Sequence, residues 1–235
     1  MTGNAKLLAL AALLILLAAC ASWSRLQAPE PEALPVMAEL ELPEPVEYDG
    51  QAAPEEEYVG VCRGVIEDGV YTSSFLGLSF TLPDGWDFAD EETIAMMMGV
   101  GVELIAENGW IDLDTANIDA LYDMVAYNAA TDSNAMIMIE SLDTSPGSEP
   151  LTSQAQLKAL RERLEEMDVF GFEFGQPFTV WVAGQPFDAL PITVGAGETE
   201  TRQYYLVRIQ GGYMVTIIAS LFDDITFAEL VGSFS

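Results

Sequence analysis

The sequence has no histidine, two cysteines and only 8 lysine and arginine residues against 38 aspartate and glutamate residues, a formal net charge of −30 over 235 residues. Without histidine the chain lacks the most common general base, zinc ligand and partner of a nucleophilic serine or cysteine. The chain is not expected to bind DNA or RNA, because phosphate backbones are neutralised by clusters of lysine and arginine. Half of the residues are hydrophobic, which is the composition of a folded protein.

The first 19 residues have the pattern of a secretory signal peptide. Lys6 precedes an apolar run over residues 7–19, which is shorter than the roughly 20 residues of a membrane-spanning helix. The run ends in Leu17-Ala18-Ala19-Cys20, and this segment resembles the lipobox of bacterial lipoproteins. The resemblance implies that residues 1–19 are removed and that Cys20 becomes a lipidated N-terminus, with diacylglycerol on its sulfur and often an acyl chain such as palmitate on its amine. The protein is then expected at the bacterial cell membrane, lipid-anchored and facing the extracytoplasmic side.

Residues 20–57 are predicted to form an acidic, proline-rich tether. The stretch between Ser22 and Tyr58 contains six of the twelve prolines and ten acidic residues. Proline removes backbone hydrogen-bond donors and like charges repel, so this stretch is expected to be extended and to hold the folded part away from the bilayer. The acidic residues could instead form a cation-binding tail, although a solvated charge run is the simpler interpretation.

Residues 58–235 are long enough for one domain with a hydrophobic core. This part has 28 acidic and 6 basic residues, a net charge of −22. Cys62 is its only cysteine, so no partner for an intramolecular disulfide is available. We interpret Cys62 as a half-buried small residue and not as a nucleophile, because one neighbouring cation and no histidine are available to activate it.

Hydrophobic periodicity and turn residues predict the elements of this domain. Three helices are expected: one capped by Asp90 with Ile94, Met97, Met98 and Ile105 on one stripe, one with a capping box of Ser153 and Gln156, and one with a capping box of Thr226 and Glu229. Strands are expected over residues 77–82, 122–129, 135–142, 178–183, 187–194, 202–210 and 213–220. Residues 134–139 are apolar on both faces, which predicts an inner strand. Gly211-Gly212 is expected to form the tight turn of the last hairpin.

Consecutive strands joined by tight turns pair antiparallel, so the pattern predicts an α+β domain with a mainly antiparallel sheet and helices packed on it. Three segments are similar to the PsbP-like fold: the strand and turn of residues 76–86, the strand around residues 122–124, and the closing strand of residues 212–217 before a terminal helix. The resemblance spans most of residues 70–235, implies an α/β/α sandwich and brings no catalytic signature. Residues 103–120 have no counterpart in it.

Carboxylate pairs such as Asp112 with Asp114, or Asp87 with Asp90, have the residue types of general acid and base catalysis. Close spacings are expected by chance in a domain with so many acids, and an exposed acidic surface keeps a domain in solution. A serine and lysine dyad would require Lys158, the only lysine of the domain, which we interpret as a solvated helix side chain.

Metal binding has partial support in the residue pattern. Residues 112–119 place acids at positions one and three of an EF-hand-like loop, with Asp123 at position twelve. Position five is Ala116 and position six is Asn117, where such a loop needs an oxygen ligand and glycine, so an ordinary polar segment is the favoured interpretation. The methionines at positions 96–98, 124, 136, 138 and 214 offer thioethers for copper(I), but core packing explains them more simply.

Trp86, Trp110 and Trp181 either seal the sheet or line a binding pocket, since aromatic side chains at concave surfaces stack on sugars and hold peptides. The sequence favours neither. We therefore hypothesise a membrane-anchored, non-catalytic binding or accessory module without a cofactor, whose further partner is an envelope protein or polymer. The alternative is a carboxylate-dependent hydrolase of envelope polymers, which would need two carboxylates about 5–9.5 Å apart in a cleft. A calcium-dependent adhesin is a third hypothesis.

Overall fold

The computed structural model describes residues 60–99, 110–111, 113, 120–142, 152–167, 171–196, 199–222 and 224–235. The predicted signal peptide, Cys20 and the predicted tether lie outside these residues. The strands of the described part are, in chain order, β1 Val61–Cys62, β2 Val65–Glu67, β3 Val70–Ser73, β4 Leu78–Thr81, β5 Asp87–Phe88, β6 Trp110–Ile111, β7 Leu121–Tyr127, β8 Asn134–Ser141, β9 Gly171–Phe174, β10 Phe178–Val182, β11 Gln185–Ala196, β12 Thr199–Gln210 and β13 Tyr213–Leu221. Its helices are α1 Glu91–Met98, α2 Ser153–Glu166 and α3 Phe227–Gly232. Within these residues, no helix combines the length and hydrophobicity needed to span a bilayer.

The main sheet is antiparallel and has the strand order β10-β11-β12-β13-β8-β7-β5. Strand β9 pairs with β11 on the same side as β10. Strands β10 to β13 follow each other in the chain and in the sheet, as the four predicted strands of this region require. The turn between β12 and β13 is Gly211-Gly212, with φ values of 58° and 84°, the positive values that a two-residue type I′ turn needs. The predicted α+β class with a mainly antiparallel sheet is therefore confirmed.

Strands β7, β8 and β13 are neighbours in the sheet and are buried along almost all of their length. Residues Ala135–Glu140 of β8 are all buried, on both faces of the sheet. This confirms the inner strand that the apolar sequence predicts. Strand β7 starts one residue before its predicted beginning and ends at Tyr127.

Helices α1 and α3 begin where the sequence predicts. The Asp90 carboxylate accepts a hydrogen bond from the backbone N–H of Thr93 at 2.8 Å, and α1 is closed by Gly99 at a φ of 68°. The predicted stripe residue Ile105 lies outside the described residues. Helix α3 has the predicted capping box, in which Thr226 and Glu229 each bind the backbone N–H of the other.

The capping box predicted for α2 is wrong. The residue that caps α2 is Thr152, whose hydroxyl accepts a hydrogen bond from the Ala155 N–H at 3.2 Å. Ser153 is the first residue of the helix, and its hydroxyl donates to Asp188 of β11. Gln156 is buried between the helix and the sheet. Ser153 and Gln156 therefore contact the sheet and do not cap the helix.

Helices α2 and α3 cover opposite faces of the main sheet. Tyr205 of β12 lies with Leu157 and Leu160 of α2 around one small cavity. The neighbouring Tyr204 stacks on Phe227 of α3, with ring centroids 4.1 Å apart. Successive side chains of a strand point to opposite faces, so the two helices lie on different sides, in agreement with the α/β/α arrangement expected from the sequence.

The face that carries α3 also carries a small sheet of order β2-β3-β4. Strand β4 confirms the strand predicted over residues 77–82, whereas β2 and β3 were not predicted. Ser79 of β4 exchanges two backbone hydrogen bonds with Ser235, at 2.7 and 3.0 Å. The ring of Phe80 packs on Phe234 at a centroid distance of 4.7 Å. The C-terminal end of the chain is thereby joined to the small sheet.

Candidate functional site

The acid pair Asp87 and Asp90 does not form a cleft. Both residues are exposed, and Asp90 is the cap of α1. Hydrogen bonds from the side chain and the backbone N–H of Thr93 lower the pKa of Asp90. This carboxylate is therefore held in its charged form for capping. The other candidate pair, Asp112 and Asp114, lies outside the described residues.

The two candidate nucleophile systems have ordinary surroundings. The Lys158 side chain is 78% exposed, and its Nζ lies 3.6 Å from Oε1 of Glu162, one helical turn away. This is the solvated helix lysine that the sequence indicates. Cys62 is half-buried and unpaired by any disulfide in the described residues.

Asp123, which the sequence places at the last position of a calcium-binding loop, is a buried residue of β7. Its Oδ2 accepts a hydrogen bond from the Tyr71 hydroxyl at 2.5 Å, and its Oδ1 accepts one from the Gly64 N–H at 2.9 Å. The register of β7 shifts between Tyr122 and Met124, so Asp123 is the extra residue of a bulge. It is not a loop ligand. The described residues contain no group of three or more acidic, cysteine or histidine side chains that could hold a metal ion.

Burial is the largest influence on the pKa values of Asp123 and Tyr71. Loss of solvent raises the pKa of Asp123, although the hydrogen bonds from Tyr71 and Gly64 and the nearby Arg63 favour its charged form. The Nε atom of Arg63 lies 3.8 Å from Oδ1 of Asp123. Burial and the neighbouring carboxylate also raise the pKa of Tyr71 well above its ordinary value. The cluster is closed to solvent and joins β3 to β7, so we assign it a structural role.

The methionines proposed for copper binding are spread through the core. Met124, Met136, Met138 and Met214 are buried in β7, β8 and β13. Met96 of α1 is instead 75% exposed. This distribution fits methionine as core filler.

The tryptophans take different positions. Trp86 is 5% exposed and belongs to the hydrophobic core, whereas Trp181 is 65% exposed. For Trp110 the structure describes only its place in β6. Burial of a tryptophan removes a large apolar area from water, so a tryptophan left in solvent on a folded strand is a candidate contact residue.

Trp181 lies on β10, the last strand at one side of the main sheet. The Thr179 hydroxyl donates a hydrogen bond to Oδ1 of Asp188 at 3.1 Å, and Asp188 is also bound by Ser153 of α2. Thr179 therefore points to the face that carries α2. Trp181, two residues on, points to the same face, beyond the first turn of α2.

A groove of about 370 Å³ lies beside Trp181. It is lined by Thr152, Ser153, Thr179, Pro186, Phe187, Asp188, Arg208 and Ile209. Pro186 is the direct cross-strand neighbour of Trp181 and extends the apolar surface from the groove to the tryptophan. We call Trp181, Pro186 and the groove together the β10 surface.

The polar groups of the groove are fixed by internal contacts. Asp188 is the one carboxylate among the lining residues that the structure describes, and it accepts hydrogen bonds from Ser153 and Thr179. Arg208 has the same parity on β12 as Tyr204, so its guanidinium points to the opposite face of the sheet, where Nη2 donates to the Leu76 carbonyl at 3.3 Å. This arrangement can position a bound chain through hydrogen bonds and apolar contact. Its described residues include a single carboxylate, whereas a glycosidase uses two that face each other.

No protein-family model matches the chain, and no curated protein matches it. Among solved structures, the chain is similar to cyanobacterial PsbP (CyanoP) from Synechocystis sp. PCC 6803, with 14% sequence identity and a TM-score of 0.43. The match covers 79% of this chain and 97% of that protein.

The sequence identifies Trp181 as a candidate binding residue but does not show whether its side chain is exposed. The groove beside Trp181 was not predicted. The lining residues come from three separate parts of the chain: the start of α2, the β10–β11 hairpin and the end of β12. The available signal was the segment Phe178 to Val182, which has two aromatic residues and no charged residue. Such a segment in an acidic chain marks either a central strand or an exposed binding edge.

Proposed function

We propose that this chain is a lipid-anchored extracytoplasmic module that binds a partner through the β10 surface without catalysing a reaction. The support for the anchor is the lipobox-like segment that ends at Cys20. Acyl chains contribute about 0.8 kcal/mol per buried CH₂, so two or three chains hold a folded domain firmly at a bilayer. The acidic, proline-rich residues 20–57 would give the domain reach from the membrane surface.

The single observation that supports binding is the exposure of Trp181 beside the groove. Tryptophan is enriched at the centres of protein interfaces because it combines a large apolar area with few rotatable bonds. Within the described residues, Met96 is the one large hydrophobic side chain with a higher exposed fraction than Trp181. Trp181 differs from Met96 in that it adjoins a groove with polar groups already held in place.

The groove gives little support to the hydrolase alternative. A pair of catalytic carboxylates requires two acids facing one cleft, and Asp188 is the one acid among the described lining residues of this groove. Asp188 is also committed to Ser153 and Thr179. A non-catalytic binding role does not require Asp188 to be released from its hydrogen bonds with Ser153 and Thr179.

The experiment compares Trp181→Ala with Met96→Ala in the full chain. The protein is extracted from membranes of its native host with a mild detergent and its mass is measured by native electrophoresis. We expect the wild type and Met96→Ala to migrate as a complex larger than the free protein, and Trp181→Ala to migrate as the free protein. A wild-type chain that migrates as the free protein, or a Trp181→Ala variant that keeps the complex, contradicts the proposal.

A further inference from the structure

Along the outer edge of β10, backbone N–H and C=O groups have no hydrogen-bond partner among the described residues. The β10–β11 turn is Ala183-Gly184, with φ values of 49° and 73°, which is the pattern of a two-residue type I′ hairpin. In such a hairpin Val182 and Gln185 exchange hydrogen bonds, and bonded pairs then alternate with non-bonded pairs along the ladder. Thr179 and Trp181 fall in the non-bonded pairs, so their N–H and C=O groups point away from the sheet.

No described residue covers these groups. Neither the backbone contacts nor the side-chain contacts of the described residues include a hydrogen bond to the backbone of Thr179 or Trp181. Strand β9 lies further along the same side of β11, where it pairs with residues 192–195. Among the described residues, no strand therefore pairs with the side of β10 that faces away from β11.

This edge lacks the features that normally protect an edge strand from pairing. Natural edges carry lysine, inward-pointing charges, proline or a bulge. The β10 sequence Phe-Thr-Val-Trp-Val has no charged residue and no proline. Its register with β11 is continuous from Phe178 to Val182, without a bulge. All five residues are β-branched or aromatic, the types that favour an extended strand.

We propose that β10 binds an extended, positively charged peptide segment of a partner protein by β-strand addition, an inference that rests on the proposed function of the β10 surface. The main-chain groups of Thr179 and Trp181 would supply the ladder, and the Trp181 ring would cover alternate side chains of the added strand. Lysine or arginine at those positions would gain a cation–π contact with Trp181.

The net charge of the chain favours a basic segment as the strand that is added to β10. A second copy of this chain carries the same formal charge of −30, so pairing of two β10 edges brings two strongly acidic bodies together. The chain's own residues 20–57 are also acidic and rich in proline, which removes ladder donors. A basic segment of another protein is attracted by the same field that repels both of these.

The test uses the full chain in detergent and two synthetic heptapeptides that alternate valine with lysine or valine with glutamate. Binding is measured by fluorescence anisotropy. We expect the lysine peptide to bind and the glutamate peptide to bind at least about tenfold more weakly. A lysine peptide that is N-methylated on the residues that would pair with β10 keeps its charge and side chains, and we expect it to lose binding. Equal binding of the N-methylated and unmodified lysine peptides overturns the proposal.

The matched variants are Thr179→Pro and Thr179→Val. Proline removes the outward N–H of position 179 and leaves the bonds between β10 and β11 in place, whereas valine removes the hydroxyl and keeps the N–H. We expect Thr179→Pro to bind the lysine peptide about tenfold more weakly than Thr179→Val. Equal binding of the two variants also overturns the proposal, with thermal unfolding used to verify that both are folded. If Trp181→Ala loses the native complex and Thr179→Pro keeps it, β-strand addition is wrong and the proposed function stands.

Discussion

The Tyr71 hydroxyl lies 2.5 Å from Oδ2 of Asp123, and this buried hydrogen bond joins the small sheet to strand β7 of the main sheet. The two residues are 52 positions apart in the chain. The bond forms only when β3 is packed on the main sheet, so it reports on the assembly of the two sheets.

Tyr71→Phe removes one donor to the buried Asp123 carboxylate and leaves the ring in place. Because a buried acceptor loses its partner, we expect the free energy of unfolding to fall by about 1–3 kcal/mol. Urea denaturation measures this value. Tyr127→Phe, at a half-exposed site on the same strand as Asp123, is the control and is expected to change stability by less than about 0.5 kcal/mol. Equal losses in the two variants would refute the role of the hydrogen bond.

Asp123→Asn is expected to change how stability depends on pH. Burial raises the pKa of Asp123 in the folded protein, so the folded state binds this proton more tightly than the unfolded chain, whose aspartate pKa is about 3.9. The contribution of Asp123 to stability therefore falls as pH rises from the unfolded value to the raised folded value. We expect the variant to lose this dependence, so that its stability relative to the wild type increases with pH in that window. A difference that stays constant or decreases with pH, measured by urea unfolding at several pH values, contradicts this account.

Gly64→Ala places a Cβ atom against the ring of Tyr71. The added atom would overlap that ring, which is buried and held by Asp123. We expect a loss of about 1–3 kcal/mol in the free energy of unfolding. Gly232→Ala in α3 meets no atom within 4 Å and is expected to be neutral or stabilising by up to about 1 kcal/mol. Calorimetric unfolding of both variants checks the contrast, and a Gly64→Ala protein as stable as Gly232→Ala would disprove it.

Cys20→Ser is expected to release the protein from membranes or to stall its processing, because serine carries no sulfur for the lipid. Cys62→Ser, which changes the other cysteine of the chain, is expected to stay with the membrane fraction. Fractionation with labelled palmitate distinguishes the two variants. Wild-type label in Cys20→Ser would rule out Cys20 as the attachment site.

The parts of the fold that sequence predicts well are those specified by local chemistry. Gly211-Gly212 supplies a tight turn between two apolar strands, and the capping box of Thr226 and Glu229 needs no distant partner. The start of α2 was predicted wrongly because Ser153 binds Asp188, which lies 35 residues away. Two polar residues at the correct spacing could not reveal that tertiary contact.

The candidate site also depends on contacts between residues that are far apart in the sequence. The aromatic, uncharged sequence of β10 is visible in the chain, but its place at the sheet edge depends on the order of seven strands. The exposure of Trp181 follows from that order and from where α2 begins. Asp123 falls in a strand that the sequence predicts, but its burial depends on Tyr71 and Gly64, neither of which is near it in sequence, so the sequence could not show that it is a buried hydrogen-bond acceptor.

The central claim is that the chain works by binding through the β10 surface, and site-specific photocrosslinking in living cells tests it most directly. A benzophenone amino acid is introduced at position 186, the exposed cross-strand neighbour of Trp181, or, as the control, at the exposed position 96. The account predicts one discrete crosslinked protein from position 186 and none from position 96. The absence of any product at position 186, or the same products at both positions, would contradict it.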